Sequence, residues 1–84
     1  MSKKMMPILM RLRKSGKTHT EENKPGTEKF IYALEGKITA KIGKEEYSLS
    51  KGDSVYFDAS LPHVFSNPTK SESLALVVLT PPSF

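Results

Sequence analysis

The 84-residue chain has no cysteine, so it has no disulfide framework, no thiol nucleophile and no zinc site built on thiolates. It also has no run approaching the roughly 20 apolar residues that a transmembrane helix needs. The apolar part of its N-terminus is too short for a signal peptide. Small domains that hold together without disulfides are typical of the cytoplasm, which is the location that we predict, with no membrane contact.

Length limits the chain to one domain. Long apolar runs at residues 30–34 and 74–79 argue against a disordered tail, although the hydrophobic fraction is only 37%. A chain of this size buries only about 60–65% of its unfolded surface, so its stability margin is thin. We therefore expect an oligomeric contact, most simply a homodimer.

The net charge of +4 comes from one end of the chain. Residues 1–17 carry six basic side chains and no acid, which makes +6, whereas residues 18–84 carry seven basic and nine acidic side chains, which makes −2. A basic arm can contact phosphates, but no aromatic residue is interleaved to stack on bases. The alternative is that Arg11 and Arg13 are the solvent face of an edge strand. We divide the chain into a basic arm, residues 1–7, and a domain, residues 8–84.

Period-two alternation dominates the domain. Ile8, Met10 and Leu12, for example, alternate with Leu9, Arg11 and Arg13. Turn residues recur every eight to twelve positions, and no window shows a helical period with caps. The segments that we interpret as strands are 8–12, 30–34, 37–42, 47–49, 54–57, 63–65 and 74–79. The pattern predicts an all-β barrel or sandwich of short antiparallel strands.

Residues 52–67 resemble the second conserved motif of the cupin superfamily. That motif reads G, five residues, P-x-G-x-x-H, three residues, N. Gly52, His63 and Asn67 are in register with it, while Asp58 and Ser60 replace its proline and second glycine. Residues 30–36, FIYALEG, are similar to the end of the first motif, and residues 79–84 resemble the ending of sensor cupins fused behind helix-turn-helix domains. The resemblance implies a small double-stranded β-helix, or jelly-roll, barrel.

Metal ligation is where the chain departs from the family. Cupin enzymes generally hold a divalent metal with an H-x-H pair, a glutamate seven residues before the strand-end glycine, and the second-motif histidine. Lys29 stands in the glutamate position before Gly36, and its charge would repel a metal. Glu28 is one residue away, which in a regular strand is the opposite face. Without an H-x-H, the ligand candidates that remain are His19, Glu21, Glu28 and His63, of which His19 and Glu21 share an i, i+2 spacing.

Alternation also predicts a pocket and an outer face. It places Lys29 inward, and an inward lysine opposite His63 would suit a carboxylate or phosphate. The predicted pocket residues are Lys29, Ile31, Tyr56, His63 and Phe65. The predicted dimer face, which points outward, is Phe30, Tyr32 and Leu34. Two alternatives stay open: Lys29 extends into solvent, and His63 is a hydrogen-bonded histidine of the barrel interior.

Two functions from different classes follow. The first is a non-enzymatic cupin module that binds a small anionic or polar metabolite, without a cofactor or catalytic residue, as the sensor part of a transcriptional regulator. The alternative is a small metal-dependent isomerase, decarboxylase or dioxygenase acting on a sugar or organic acid. Residues 1–7 are too few for a helix-turn-helix, so nucleic-acid binding would need a fused DNA-binding domain. Whether the chain is free-standing or a fragment of a regulator stays open.

Overall fold

A computed structural model describes residues 5–81 of the chain. It contains seven β-strands, and the part of the chain it describes has no helix. Every segment predicted to be a strand is one. The strands are β1 (Met6–Leu12), β2 (Glu28–Glu35), β3 (Lys37–Ile42), β4 (Glu45–Ser50), β5 (Ser54–Asp58), β6 (His63–Ser66) and β7 (Ser73–Thr80).

The strands form two antiparallel sheets. One has the order β1-β7-β2-β5 and the other the order β4-β3-β6. The inward residues of both sheets form a single hydrophobic core, in which Ile31 and Ala75 from the first sheet and Ile38 and Ala40 from the second are fully buried. The predicted all-β fold class, a small barrel of short antiparallel strands, is therefore confirmed.

Strand β1 lies at the edge of the four-stranded sheet and pairs with β7 from Met6 to Leu12. The boundary that we place between residues 7 and 8 thus falls inside this strand. Arg11 is exposed, and its Nε lies 3.6 Å from a carboxylate oxygen of Glu72. Residues 1–4, which include two lysines of the basic arm, lie outside the described residues, as do residues 82–84.

The connection between β1 and β2 runs beside β6 and covers one end of the barrel. Isolated bridges pair Lys17 with Ser66 and Glu21 with His63. Five residues, 17–21, therefore lie opposite four, 63–66, so the connection contains one extra residue. The extra residue breaks the alternation that would keep His19 and Glu21 on one face.

Asn67, the asparagine of the second motif, holds this connection to the loop before β7. Its side chain is 2% exposed. The Nδ2 group donates to the backbone carbonyls of Leu12 and Arg13, both at 3.1 Å, and of Ser71 at 2.6 Å. Its Oδ1 accepts hydrogen bonds from the backbone N–H and the hydroxyl of Thr69. Asn67 therefore joins three chain segments with one side chain.

Candidate functional site

Lys29 lies inside the barrel. The pairing of β2 with β5 and β7 is regular at this point, with Lys29 opposite Phe57 and Leu79, and both of these side chains are buried. Lys29 is only 6% exposed. The alternative in which it extends into solvent is therefore wrong. Its Nζ lies 2.8 Å from Nε2 of His63 and 3.5 Å from a carboxylate oxygen of Glu21.

The hydrogen bonds of His63 define its tautomer. Nδ1 lies 2.8 Å from the backbone carbonyl of Leu61, which can only accept, so Nδ1 carries a proton. Nε2 of the neutral ring then accepts a hydrogen bond from the Lys29 ammonium. Burial lowers the pKa of His63 below its usual 6.5, and the charge of Lys29 acts in the same direction, while the Leu61 carbonyl opposes both. The two side chains form a pair of a cation and a neutral imidazole.

A cavity of about 290 Å³ lies against Lys29, between the two sheets and under the β1–β2 connection. It is partly open to solvent. Six of its lining residues are apolar, namely Met6, Ile8, Met10, Phe65, Val77 and Leu79. The other four are polar, namely Thr18, Glu21, Asn23 and Lys29. The cavity is therefore amphipathic.

A second cavity, of about 250 Å³, lies on the other side of His63. It is lined by His63 with Lys41, Gly43 and Pro62 among others. Lys29 lines the first cavity and His63 the second, so the hydrogen bond between them lies between the two spaces. A ligand in the first cavity would contact Lys29 directly. It would affect His63 only through the hydrogen bond between His63 and Lys29.

The structure brings together part of the predicted pocket. Lys29 and Phe65 line the first cavity, with His63 in contact with Lys29, whereas Ile31 is a fully buried core residue. Tyr56 requires correction, because it is 63% exposed and lies opposite Phe30 on the outer face of the sheet. A hydrogen bond with Glu28 on that face raises the pKa of Tyr56.

The proposed metal ligands do not assemble. Residues 5–81 contain no group of three or more histidine, cysteine or acidic side chains that could hold a metal ion. His19 is exposed, and Glu28 stays on the outer face because its pairing with Asp58 contains no bulge. The Lys29 ammonium is in contact with both Glu21 and His63. These residues do not fit a divalent cation, because a positive charge already stands between the two remaining candidates.

Sequence reasoning missed the polar residues of the β1–β2 connection, Thr18 and Asn23. This segment is irregular and has no period, so no local pattern marked them. The alternation in β1 did give a signal for the methionines that line the cavity. Met10 was assigned to the same strand face as Ile8, and that face lines the cavity.

The outer face of the four-stranded sheet carries apolar or aromatic side chains from all four strands. Tyr32 of the predicted dimer face is 36% exposed, and Phe30 is half-buried. Their neighbours in register extend this outer apolar face, whose members are Leu9, Phe30, Tyr32, Tyr56, Leu76 and Val78. Leu34, the third predicted residue, is half-buried at an irregularity in the pairing of β2 with β7.

Two antiparallel sheets that share one core, with an amphipathic cavity between them, define a small β-barrel. The chain belongs to the cupin family, since the model of the cupin domain matches residues 8–79. The resemblance stated from the motifs is thereby confirmed. No curated protein shows a significant sequence match to the chain. The described residues contain no helix long and apolar enough to cross a membrane.

Solved structures are similar over nearly the whole chain. TT1209 from Thermus thermophilus is 32% identical with a TM-score of 0.86, covering 96% of this chain and 76% of that one. The cupin domain of an XRE-family transcriptional regulator from Enterobacter cloacae is 18% identical with a TM-score of 0.88, covering 95% and 84%. A cupin-superfamily sugar phosphate isomerase from Silicibacter pomeroyi is 24% identical with a TM-score of 0.82. Here the match covers 95% of this chain but only 52% of the isomerase. Below 25% identity, these likenesses show the fold alone.

Proposed function

We propose that the chain is a non-enzymatic cupin module that binds a small anionic molecule in the cavity beside Lys29. The main support is that the buried Lys29 ammonium contacts a neutral histidine. Lys29 stands in the sequence position where cupin enzymes generally have a metal-binding glutamate. Within residues 5–81 the Lys29 ammonium has one ion pair, which is long, so its burial is costly, and an anion in the adjacent cavity would offset that cost.

A role as the sensor part of a transcriptional regulator is the second element of this proposal. It is supported by the fold shared with the cupin domain of the Enterobacter cloacae regulator. In that arrangement, another part of the protein would supply a DNA-binding domain. Ligand binding in the barrel would shift the conformational equilibrium of that domain through a dimer.

Anion binding is tested by thermal unfolding in the presence of organic acids and phosphorylated sugars. A ligand at a hundredfold excess over its Kd stabilises the fold by about 2.7 kcal/mol. We expect stabilising anions to lose their effect on Lys29→Met and to keep it on Lys44→Met, which removes an exposed turn lysine. Circular dichroism would show that both variants are folded. Stabilisation that persists unchanged in Lys29→Met would remove the lysine from the site.

Metal content separates this proposal from a metal-dependent enzyme, the alternative function. Because an ammonium stands between Glu21 and His63, we expect purified protein to hold well below one equivalent of zinc, iron, manganese or nickel. Elemental analysis after dialysis measures this directly. A full equivalent that is lost on His63→Ala would contradict the prediction and favour the enzyme.

A further inference from the structure

We propose that the ligand is a small carboxylic acid with a hydrogen-bond donor on the carbon next to its carboxylate and an apolar chain. Apolar α-hydroxy acids and α-amino acids share this chemistry. The inference rests on the proposed function, because it uses Lys29 as the group that binds the carboxylate. The inference also specifies the other groups of the ligand, which follow from the other residues of the cavity.

The carboxylate position follows from the free bonding capacity around Lys29. An ammonium has three N–H groups. Among the described residues, one is bonded to Nε2 of His63 and the Glu21 carboxylate makes an ion pair only, so the ammonium has bonding capacity left for a ligand. The Glu21 contact is long, at 3.5 Å, and its side chain is 53% exposed, so a carboxylate can share the lysine with it. Thr18 also lines the cavity; its hydroxyl accepts from the backbone N–H of Phe65, and its own O–H has no acceptor among the described residues.

The donor position follows from Asn23. Asn23 lines the cavity, and its Oδ1 is buried and has no hydrogen-bond partner among the described residues. A buried acceptor without a partner costs about 1–3 kcal/mol. The backbone N–H of Asn23 donates a hydrogen bond of 2.8 Å to the carbonyl of Ala59, which fixes the backbone of this residue beside the cavity. A hydroxyl or ammonium group of the ligand, adjacent to a carboxylate on Lys29, would supply the missing donor.

The apolar chain follows from the apolar residues of the lining. Met6, Ile8 and Met10 of β1 and Leu79 of β7 present no polar side-chain group to the cavity. A sugar or a sugar phosphate would bury hydroxyls against these side chains without partners, which is unfavourable. Methionines adapt to apolar chains of different shape. The volume of about 290 Å³ is at the lower end for ligand sites, which favours a molecule of amino-acid size.

The test is calorimetric titration of the intact chain with a matched set of small molecules. Leucic acid and leucine carry all three features, isocaproate lacks the donor, glycolate lacks the apolar chain and leucinol lacks the carboxylate. We expect leucic acid or leucine to bind about tenfold more tightly than each of the three deficient molecules. The better of these two identifies the donor as a hydroxyl or an ammonium group. Isocaproate binding as tightly as both would overturn the inference.

Variants assign each feature to its residue. Asn23→Ala should lose the preference over isocaproate while binding isocaproate unchanged, whereas Glu22→Ala, an exposed neighbour, should keep the preference. A preference that persists in Asn23→Ala also overturns the inference. If the set does not bind but other anions show Lys29-dependent binding, this inference is wrong and the proposed function stands. If no anion binds, both are wrong.

Discussion

At the scale of single residues, the site depends on how a buried lysine keeps its charge. Lys29 is 6% exposed, and an isolated ammonium there would be strongly unfavourable. The imidazole of His63 accepts one of its hydrogen bonds, and it can do so only while it is neutral. The protonation of His63 should therefore affect folding and, under the proposed function, the binding of an anion.

His63 should make folding stability depend on pH. Its pKa in the folded protein is below the usual 6.5, so the unfolded chain binds a proton more readily. The contribution is fully present above pH 6.5 and is lost as the pH falls from there toward the folded-state pKa. We expect urea unfolding between about pH 5 and 8 to show stability falling on the acidic side, and His63→Gln to flatten this fall. His19→Gln, at an exposed histidine, should leave it unchanged, and equal slopes in all three proteins would contradict the prediction.

Asn67 should contribute more to stability than any exposed residue of its loop. Asn67→Ala removes partners from three backbone carbonyls and from Thr69. Leaving such groups without partners costs about 2–4 kcal/mol in total, because only some of them can rebind water. Urea denaturation measures the loss. Lys70→Ala, an exposed control in the same loop, should change stability by less than about 0.5 kcal/mol. Similar values for the two variants would show that the Asn67 contacts are not stabilising.

At the scale of elements, the turn between β2 and β3 leaves less room for a side chain than any other glycine position. Gly36 has a positive φ of 73°, which side-chain-bearing residues rarely adopt. A Cβ at this position would lie 2.5 Å from Oγ of Ser73. That hydroxyl is buried, donates to the carbonyl of Lys37 at 2.7 Å and accepts from the Lys37 N–H at 3.2 Å. The start of β3 is thus joined to β7 through a contact that leaves no room for a methyl group.

Gly36→Ala should therefore destabilise the protein by about 2–4 kcal/mol, from backbone strain and crowding together. Gly43→Ala is the matched control, because Gly43 also has a positive φ, of 59°, but its nearest neighbour would be an ordinary contact at 3.9 Å. It should lose only about 1–2 kcal/mol, the cost of the backbone alone. Thermal unfolding of both variants measures the difference. Equal losses would mean that Ser73 moves aside without cost.

At the scale of the whole molecule, the outer apolar face should make the chain a dimer. Phe30 and Tyr32 are continuous with Leu76 and Val78 across the sheet, and an exposed patch of this kind is uncommon on soluble monomers. A second copy related by a two-fold axis would cover it. We expect sedimentation equilibrium at micromolar concentration to give twice the monomer mass of 9.4 kDa.

Variants locate that interface. Tyr32→Asp should shift the protein to monomers, because it puts a charge on the outer apolar face, next to Leu76. Tyr47→Asp is the control, since Tyr47 is 39% exposed on β4 of the other sheet. It should leave the dimer intact. A wild-type protein that sediments only as a monomer would contradict the prediction, and a dimer that survives Tyr32→Asp would place the interface elsewhere.

The sequence by itself determined the strands and most of their faces, because alternation and turn residues act locally. It correctly placed Lys29 inward and Tyr32 outward, and the second-motif resemblance brought His63 into the argument. Tyr56 was misplaced, because residues 54–57 offer an apolar side chain to either face. Only the pairing of Lys29 with Phe57 decides which side chain enters the barrel. Tertiary structure alone decided the course of the β1–β2 connection, since its two bridges to β6 are long-range and include an extra residue. Those bridges bring Glu21 to Lys29, expose His19 and place Asn23 against the cavity.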